Sequence, residues 1–218
     1  MFPVNLRVAG KSALVVGGGG VALRKVRSLL EAGAAVSVLA PAAHPELRKL
    51  AAAGRIRLAL REYRSGDLQG AFLVFAATDD AEVNAAVAAE SDATGTLCCV
   101  TDSPAAGSFT SPSTVRRGDL LLTVSTGGRF PALAAKIASE LAGKYGPEWG
   151  EALQLLGELR EKLLTAKKGD AYNGELFRAL AAPDWGALPA EGRLAEIDNI
   201  LLVLLGPEYS LERLKGKD

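Results

Sequence analysis

Histidine occurs once in this chain, as His44 in the loop-like stretch Pro41-Ala-Ala-His-Pro45. One imidazole in such a setting argues against Ser-His-Asp catalysis and against multi-histidine metal centres. A surface or capping role is expected for it. Cysteine occurs twice, as the neighbours Cys98 and Cys99. Adjacent cysteines bridge awkwardly, and no metal-ligand spacing surrounds them. Reduced, buried thiols of a cytoplasmic protein are the expectation. Net charge is also missing, because 25 Lys and Arg balance 25 Asp and Glu. No global field therefore favours nucleic acid or a membrane surface. Long apolar runs are absent too, since Ile200-Leu-Leu-Val-Leu-Leu205 is too short to span a bilayer. Met1 to Arg7 lacks a signal-peptide pattern. None of Tyr63, Tyr145, Tyr172 or Tyr209 has lysine four positions on, which sets aside a short-chain dehydrogenase with its Tyr-x-x-x-Lys pair.

What is present is an apolar, glycine-rich chain. Its hydrophobic fraction is 49% and its charged fraction 23%, so a globular core is expected. The apolar run Ala13 to Val16 meets four glycines, Gly17 to Gly20, and a helical pattern follows from Val21. Gly17-x-Gly19-x-x-Ala22 fits the dinucleotide fingerprint. Gly17 would make the tight turn, Gly19 would let the backbone approach a pyrophosphate, and Ala22 would let helix and strand pack closely. The helix that starts at Val21 would then offer its free N–H groups and positive dipole to the phosphates. The same glycines also fit a tight turn that binds nothing. The fingerprint's ribose-binding acid is missing from Val36-Ser-Val-Leu-Ala-Pro41, and that stretch has no arginine for a 2′-phosphate.

Further on, strands and helices alternate. Val21 to Ala32 reads as a helix stopped at Gly33, and Ala35 to Leu39 as a buried strand. Pro45 to Ala53 reads as a helix, Ile56 to Leu60 and Ala71 to Ala76 as strands. A helix then runs to about Ser91, and Thr96 to Thr101 is a fifth strand. This order predicts an α/β protein with a doubly wound, Rossmann-type parallel sheet. Ligands of such sheets sit beyond the carboxyl ends of the strands. Thr78, Asp79 and Asp102 fall there. Asp79 or Asp80 can cap the following helix. Asp102 is a candidate base or a turn residue before Pro104.

After Pro112 the pattern changes. Asp119 to Ser125 reads as a strand, Thr126 to Arg129 as a turn, and Pro131 opens a helix to about Lys144. Gly146-Pro147 breaks it, and the rest looks helical, punctuated at Gly169, Gly174, Pro183, Pro189 and Pro207. The expected organisation is a nucleotide-binding domain over residues 1–112, a small α/β unit over 113–146 and a helical region over 147–218.

The ordered set of motifs resembles the precorrin-2 dehydrogenases of siroheme biosynthesis. It comprises Val15-Val-Gly-Gly-Gly-Gly-Val-Ala-Leu-Arg-Lys25, Glu31-Ala-Gly-Ala34, Ala76-Ala-Thr-Asp79 with Asn84, and Val100-Thr-Asp-Ser-Pro104. Phe109-Thr-Ser-Pro-Ser113, Val124-Ser-Thr-Gly-Gly128 and Pro131-Ala-Leu-Ala134 complete it. The resemblance covers about residues 1–145. It implies NAD as cofactor, precorrin-2 as tetrapyrrole substrate and sirohydrochlorin as product. Fe2+ or Co2+ enters as substrate in those members that are also ferrochelatases. It implies a homodimer with residues 113–146 as the dimerisation unit, NAD contacts at Gly20, Val21, Pro41 and Ala42 without a ribose carboxylate, and Asp102 as catalytic base. The substrate's carboxylates call for cations. Arg24, Lys25 and Arg129 are the candidates, with Arg116, Arg117 and Lys136 beside them. Three positions depart from the family's pattern. Cys99 stands where asparagine is frequent, Thr126 replaces a serine, and Phe130 replaces a small polar residue. The chain ends without a methyltransferase module, so methylation is not expected of it. An NAD-sensing module without catalysis is the alternative, and turnover of precorrin-2 separates the two.

Overall fold

The computed structural model describes residues 1–166, 174–186 and 194–214. The chain divides into two compact units, Met1–Ser111 and Pro112–Asp218.

The first unit is built on five strands, β1 (Ser12–Val16), β2 (Ala35–Leu39), β3 (Arg57–Ala59), β4 (Leu73–Ala76) and β5 (Leu97–Val100). They pair in parallel in the order β3-β2-β1-β4-β5. Three helices join them: α1 (Gly20–Glu31), α2 (Pro45–Ala52) and α3 (Ala81–Thr94). The register aligns Val16 with Leu39 on one side and with Ala76 on the other, while Leu39 meets Ala59 and Ala76 meets Val100. All five carboxyl ends therefore finish level. The strand order reverses between β1 and β4, and the crevice of such a sheet opens at that point.

The strands are apolar throughout because both faces are covered. Ala13 and Val15 join Ala22, Leu23, Val26 and Leu29 of α1 on one face, and Leu47 of α2 packs there too. Leu14 and Val16 point the other way, to Val87 and Ala88 of α3. Here the link from β3 to β4 is not a helix. Leu68, 1% exposed, plugs the second face from within that loop. Burying such a leucine contributes about 1.5–3 kcal/mol.

The loop is pinned by Glu90 of α3. Its carboxylate accepts from the N–H of Gly66 at 3.0 Å and of Leu68 at 3.2 Å, and from the Tyr63 hydroxyl. Arg61 meets Asp67 through two bonds of 2.6 and 2.7 Å. Burial pushes Glu90 up, but the bonds it accepts outweigh this and hold it below its ordinary value of 4.5. The Arg61 guanidinium likewise holds Asp67 low. Both folded pKa values lie below the unfolded ones, so this stabilisation is present above the ordinary carboxylate range and is lost as pH falls through the folded values. The expected result is a urea midpoint that drops between pH 5 and 3, with a shallower drop in Glu90→Gln, read by denaturant titration at several pH values. An equal slope in wild type and variant would remove Glu90 as a source.

The second unit begins with an antiparallel hairpin, β6 (Ser113–Arg117) and β7 (Leu120–Val124), turned at Gly118 with φ +55°. Strand β6 was not expected, because Ser-Thr-Val-Arg-Arg alternates too briefly to stand out between Pro112 and Gly118. Helix α4 (Pro131–Lys144) packs on the hairpin, and Arg117 reaches its end, donating from Nε to Tyr145 O at 2.9 Å and from Nη2 to Ala142 O at 3.1 Å. A cation there satisfies the helix's last carbonyls. Arg117 is thus committed to the fold.

Helices α5 (Glu148–Ala166), α6 (Gly174–Ala181), α7 (Leu194–Leu205) and α8 (Leu211–Leu214) follow. Leu159, Leu163, Leu180, Trp185, Ile197 and Leu201 form their core. Gly174 is the first residue of α6. The breaks expected at Gly169 and Pro189 lie outside the described residues. Among the described residues, no helix is long and apolar enough to cross a membrane.

Candidate cofactor and active site

The four glycines do two different jobs. Gly17 has φ +129°, and its N–H donates to Leu39 O at 2.8 Å. A Cβ on Gly17 would lie 2.2 Å from Ala77 O, so only glycine lets the β1 turn pass beneath the end of β4. Gly18 is wedged the other way, its missing Cβ falling 1.9 Å from Ala42 O. The fingerprint gives position 18 no role, and only the packing reveals it. Gly19 and Gly20 face open space, with nothing within 4 Å of a built Cβ. Gly19 caps α1 without a side chain, and the first carbonyl acceptor in the helix is Gly19 O, taken by Leu23 N–H at 3.0 Å. The N–H groups of the first turn therefore have no helical partner. This bare, positively polarised cradle fits the pyrophosphate of a dinucleotide. Ala22, fully buried, seats the helix on the strand.

The loop after β2 is bound to this cradle. The His44 N–H donates to Gly18 O at 2.8 Å, which holds exposed Pro41 and Ala42 beside the glycines. His44 itself caps α2, its Nδ1 accepting from Glu46 N–H at 3.2 Å. The capping role expected of the lone histidine is what the structure shows.

Across the switch point, Ala77 N–H donates to Val16 O at 2.8 Å and brings Thr78 against Gly17. The Thr78 hydroxyl lies 2.8 Å from Asn84 Oδ1 and 2.9 Å from Asp80 O, and Asn84 Nδ2 donates back to Thr78 O at 3.2 Å. Asn84 is 1% exposed, so this is a buried lock on the turn. Thr78 presents the turn's shape more than a free hydroxyl. Asp80 takes the cap of α3, its Oδ1 accepting from Glu82 and Val83 N–H at 2.8 and 3.2 Å. Asp79 is left exposed at the strand end.

Asp102 follows β5 by two residues, and Thr101 N–H donates to Ala76 O at 3.0 Å. Asp102 thus stands on the strand next to Thr78 and Asp79. It is exposed. The next turn, Pro104–Ala106, closes through Ala106 N–H to Ser103 O at 2.9 Å, without the Asp102 side chain. The turn therefore gives no structural reason for an aspartate at this position.

The basic candidates separate. Arg24 is exposed on α1. Lys25 turns onto the sheet, its Nζ 5.3 Å from the centre of the Phe75 ring, and burial pulls its pKa below the usual lysine range. Phe75 lies inside β4, so Lys25 covers the sheet's face. Arg129 belongs to the second unit, in the turn closed by its own N–H to Thr126 O at 3.2 Å. Cys98 and Cys99 are free and buried, and burial pushes both thiols up. Among the described residues, no group of three or more His, Cys, Asp or Glu is placed to hold a metal ion.

Sheet order, switch point and glycine cradle together define a dinucleotide-binding α/β protein of the Rossmann type. Residues 4–113 match a family model described as "Putative NAD(P)-binding". Over 160 residues the chain is 42% identical to a siroheme synthase of Methylobacillus flagellatus, covering 73% of this chain and 34% of that protein. Over 222 residues it is 36% identical to a siroheme synthase of Ectopseudomonas mendocina, covering 94% and 48%. The solved structure of SirC, precorrin-2 dehydrogenase, superposes with a TM-score of 0.73 at 29% identity, covering 92% of this chain and 98% of that one. The chain belongs to this NAD(P)-binding family, in its precorrin-2 dehydrogenase branch. It spans a third to a half of the length of the curated relatives it matches.

Proposed function

We propose that the protein oxidises precorrin-2 to sirohydrochlorin with NAD, using Asp102 as base. The observation that carries this reading is the crevice at the switch point, with a bare glycine cradle on one wall and an exposed carboxylate two strands away on the other. Gly17, Gly19, Gly20 and Val21 would hold the pyrophosphate, Pro41 and Ala42 the adenosine end, and the Thr78–Asp79 turn the side facing the substrate. NAD, when bound, supplies the hydride acceptor. Each turnover releases one hydride and one proton from the substrate, and Asp102 takes the proton at a carboxylate oxygen. Exposed Arg24 is available to the substrate's carboxylates, and exposed Arg129 is the candidate that the second unit offers. Lys25, turned to the sheet, is the weaker of the three candidates. Fe2+ or Co2+ is the substrate of a chelation step that the same exposed carboxylate would serve.

The reading includes a cytoplasmic homodimer. Free, buried thiols suit a reducing compartment. A two-stranded sheet is marginal alone, and Phe130 and Leu133 lie 61% and 44% exposed beside it, which suits cover by a second copy. A monomeric mass in sedimentation would remove the dimer. The test of function is an anaerobic assay of the protein with precorrin-2 and NAD, followed by NADH absorbance and the spectrum of the product. Sirohydrochlorin formed with NADH one for one is expected. NAD binding without turnover would leave a sensing module instead.

A further inference from the structure

The loop from β3 to β4 leaves part of the sheet's second face open. Leu68 plugs that face where it packs with Leu14, Val16 and Leu39. Beside it, over β2 and β3, lies a cavity of about 220 Å³. Register sets Leu14, Ser37 and Arg57 side by side on three strands, with Leu39 and Ala59 two residues further along, and all five line the cavity. Residues two apart on a strand share a face. Ser37 and Ala59 are small where a crossover helix would call for large apolar side chains, and their size makes the room.

The charges around the cavity do not cancel. Its acid is Asp67, and both carboxylate oxygens accept from Arg61, at 2.6 and 2.7 Å. The Arg64 N–H adds a bond to Oδ2 at 2.8 Å. Arg61 is spent in the same pair, and its Nη1 also donates to Glu62 O at 3.0 Å. Arg57 is left over, since among the described residues it meets no carboxylate. It brings an uncancelled cation, with a planar pair of donors of the kind that matches a carboxylate. Charge on the edge strand β3 also discourages pairing with other chains. That accounts for an arginine on β3, but not for a cavity with leucines beneath it. The glycine cradle lies elsewhere. It stands beyond the end of β1 and opens α1 on the first face, whereas Leu14 lies two residues short of that end on the second face.

We propose that this cavity is a second binding site, which takes a compact organic carboxylate. The carboxylate meets Arg57 and the Ser37 hydroxyl, and the apolar body lies over Leu14, Leu39 and Ala59. The site is independent of the reaction at the switch point. An apolar cavity of about 150 Å³ holds a benzene ring, so benzoate is a suitable probe. The test follows amide NMR shifts of the isotope-labelled full chain during titration with benzoate. Benzamide serves as the neutral isostere and sulfate as a charge without an apolar body. Saturable shifts grouped at Ser37, Arg57 and Ala59 are expected, with a Kd on the order of 1 mM. Benzamide and sulfate should bind at least about tenfold more weakly. Arg57→Gln should weaken benzoate about tenfold and leave NAD affinity within about twofold. Arg57 is exposed, so this variant is expected to fold as the wild type does. Ser37→Leu occupies the room itself and should abolish the shifts, with the amide spectrum away from β2 unchanged. No saturation up to about 20 mM benzoate overturns the proposal. So does equal binding of benzamide or sulfate, or an unmoved benzoate affinity in Arg57→Gln. Displacement of benzoate by NAD would return the cavity to the cofactor site and overturn it as well.

Discussion

Asp102→Ala lowers the rate of precorrin-2 oxidation by about a hundredfold or more and leaves NAD affinity within about twofold of wild type. The split follows from position. Asp102 stands beyond β5, whereas the cradle stands beyond β1, with β4 between them. Removing an exposed carboxylate that no neighbouring turn uses should disturb neither the sheet nor the glycine loop. Stability should therefore stay within about 0.5 kcal/mol, as it does for surface substitutions without structural partners. Asp102→Asn separates proton transfer from shape, since the amide keeps the volume and loses the base. It is expected to behave like the alanine variant in rate. Single-turnover NADH formation measures the chemical step, and calorimetry with NAD measures binding. Wild-type turnover in either variant would sink Asp102 as the base. A parallel loss of NAD affinity would move it into the cofactor site.

The fold was legible because its signals are local. Each strand of the first unit is an apolar run four or five residues long, apart from the shorter β3. Each joining helix has its stop or cap in the sequence, as with Gly33 after α1 and Asp80 before α3. The site was legible as far as strand ends could locate it, which is why Thr78, Asp79 and Asp102 could be named from the sequence. What the sequence hid depends on packing between distant residues. Gly18 looks interchangeable with Gly19 until Ala42 O is found against it. Arg48 looks like any helix arginine until its side chain folds onto Ala43. Lys25 sits in the motif with Arg24, yet the helix turns it inward to Phe75. Adjacent residues on a helix lie about 100° apart, so a shared motif does not imply a shared surface. Strand β6 was missed for a different reason. A hairpin strand with one buried residue, Val115, carries almost no periodic signal.

The glycine loop yields the second large effect, because its four positions should respond in two opposite ways. Gly18→Ala is expected to destabilise the first unit by about 2–4 kcal/mol. The added methyl would stand 1.9 Å from Ala42 O and 3.0 Å from Ala40 Cβ. Neither neighbour can yield freely, since the same loop is tied back by His44 N–H to Gly18 O and Ala40 N–H to Ala59 O. Gly17→Ala combines a contact of 2.2 Å with a φ that side chains avoid, and the loss there should be at least as large. At Gly20 the prediction reverses. Its φ is helical and the space above it is open, so alanine should leave the melting temperature unchanged or raise it, by about 0.5–1 kcal/mol of stability. Yet that open space is where a pyrophosphate would approach, and Gly20→Ala and Gly19→Ala should weaken NAD about tenfold. Thermal unfolding and NAD titration on the four variants read the two effects separately. Losses of stability confined to positions 17 and 18, and losses of affinity without unfolding at 19 and 20, would establish the loop as a support below and a binding surface above. Unchanged NAD affinity at both 19 and 20 would reduce it to a strand-to-helix turn.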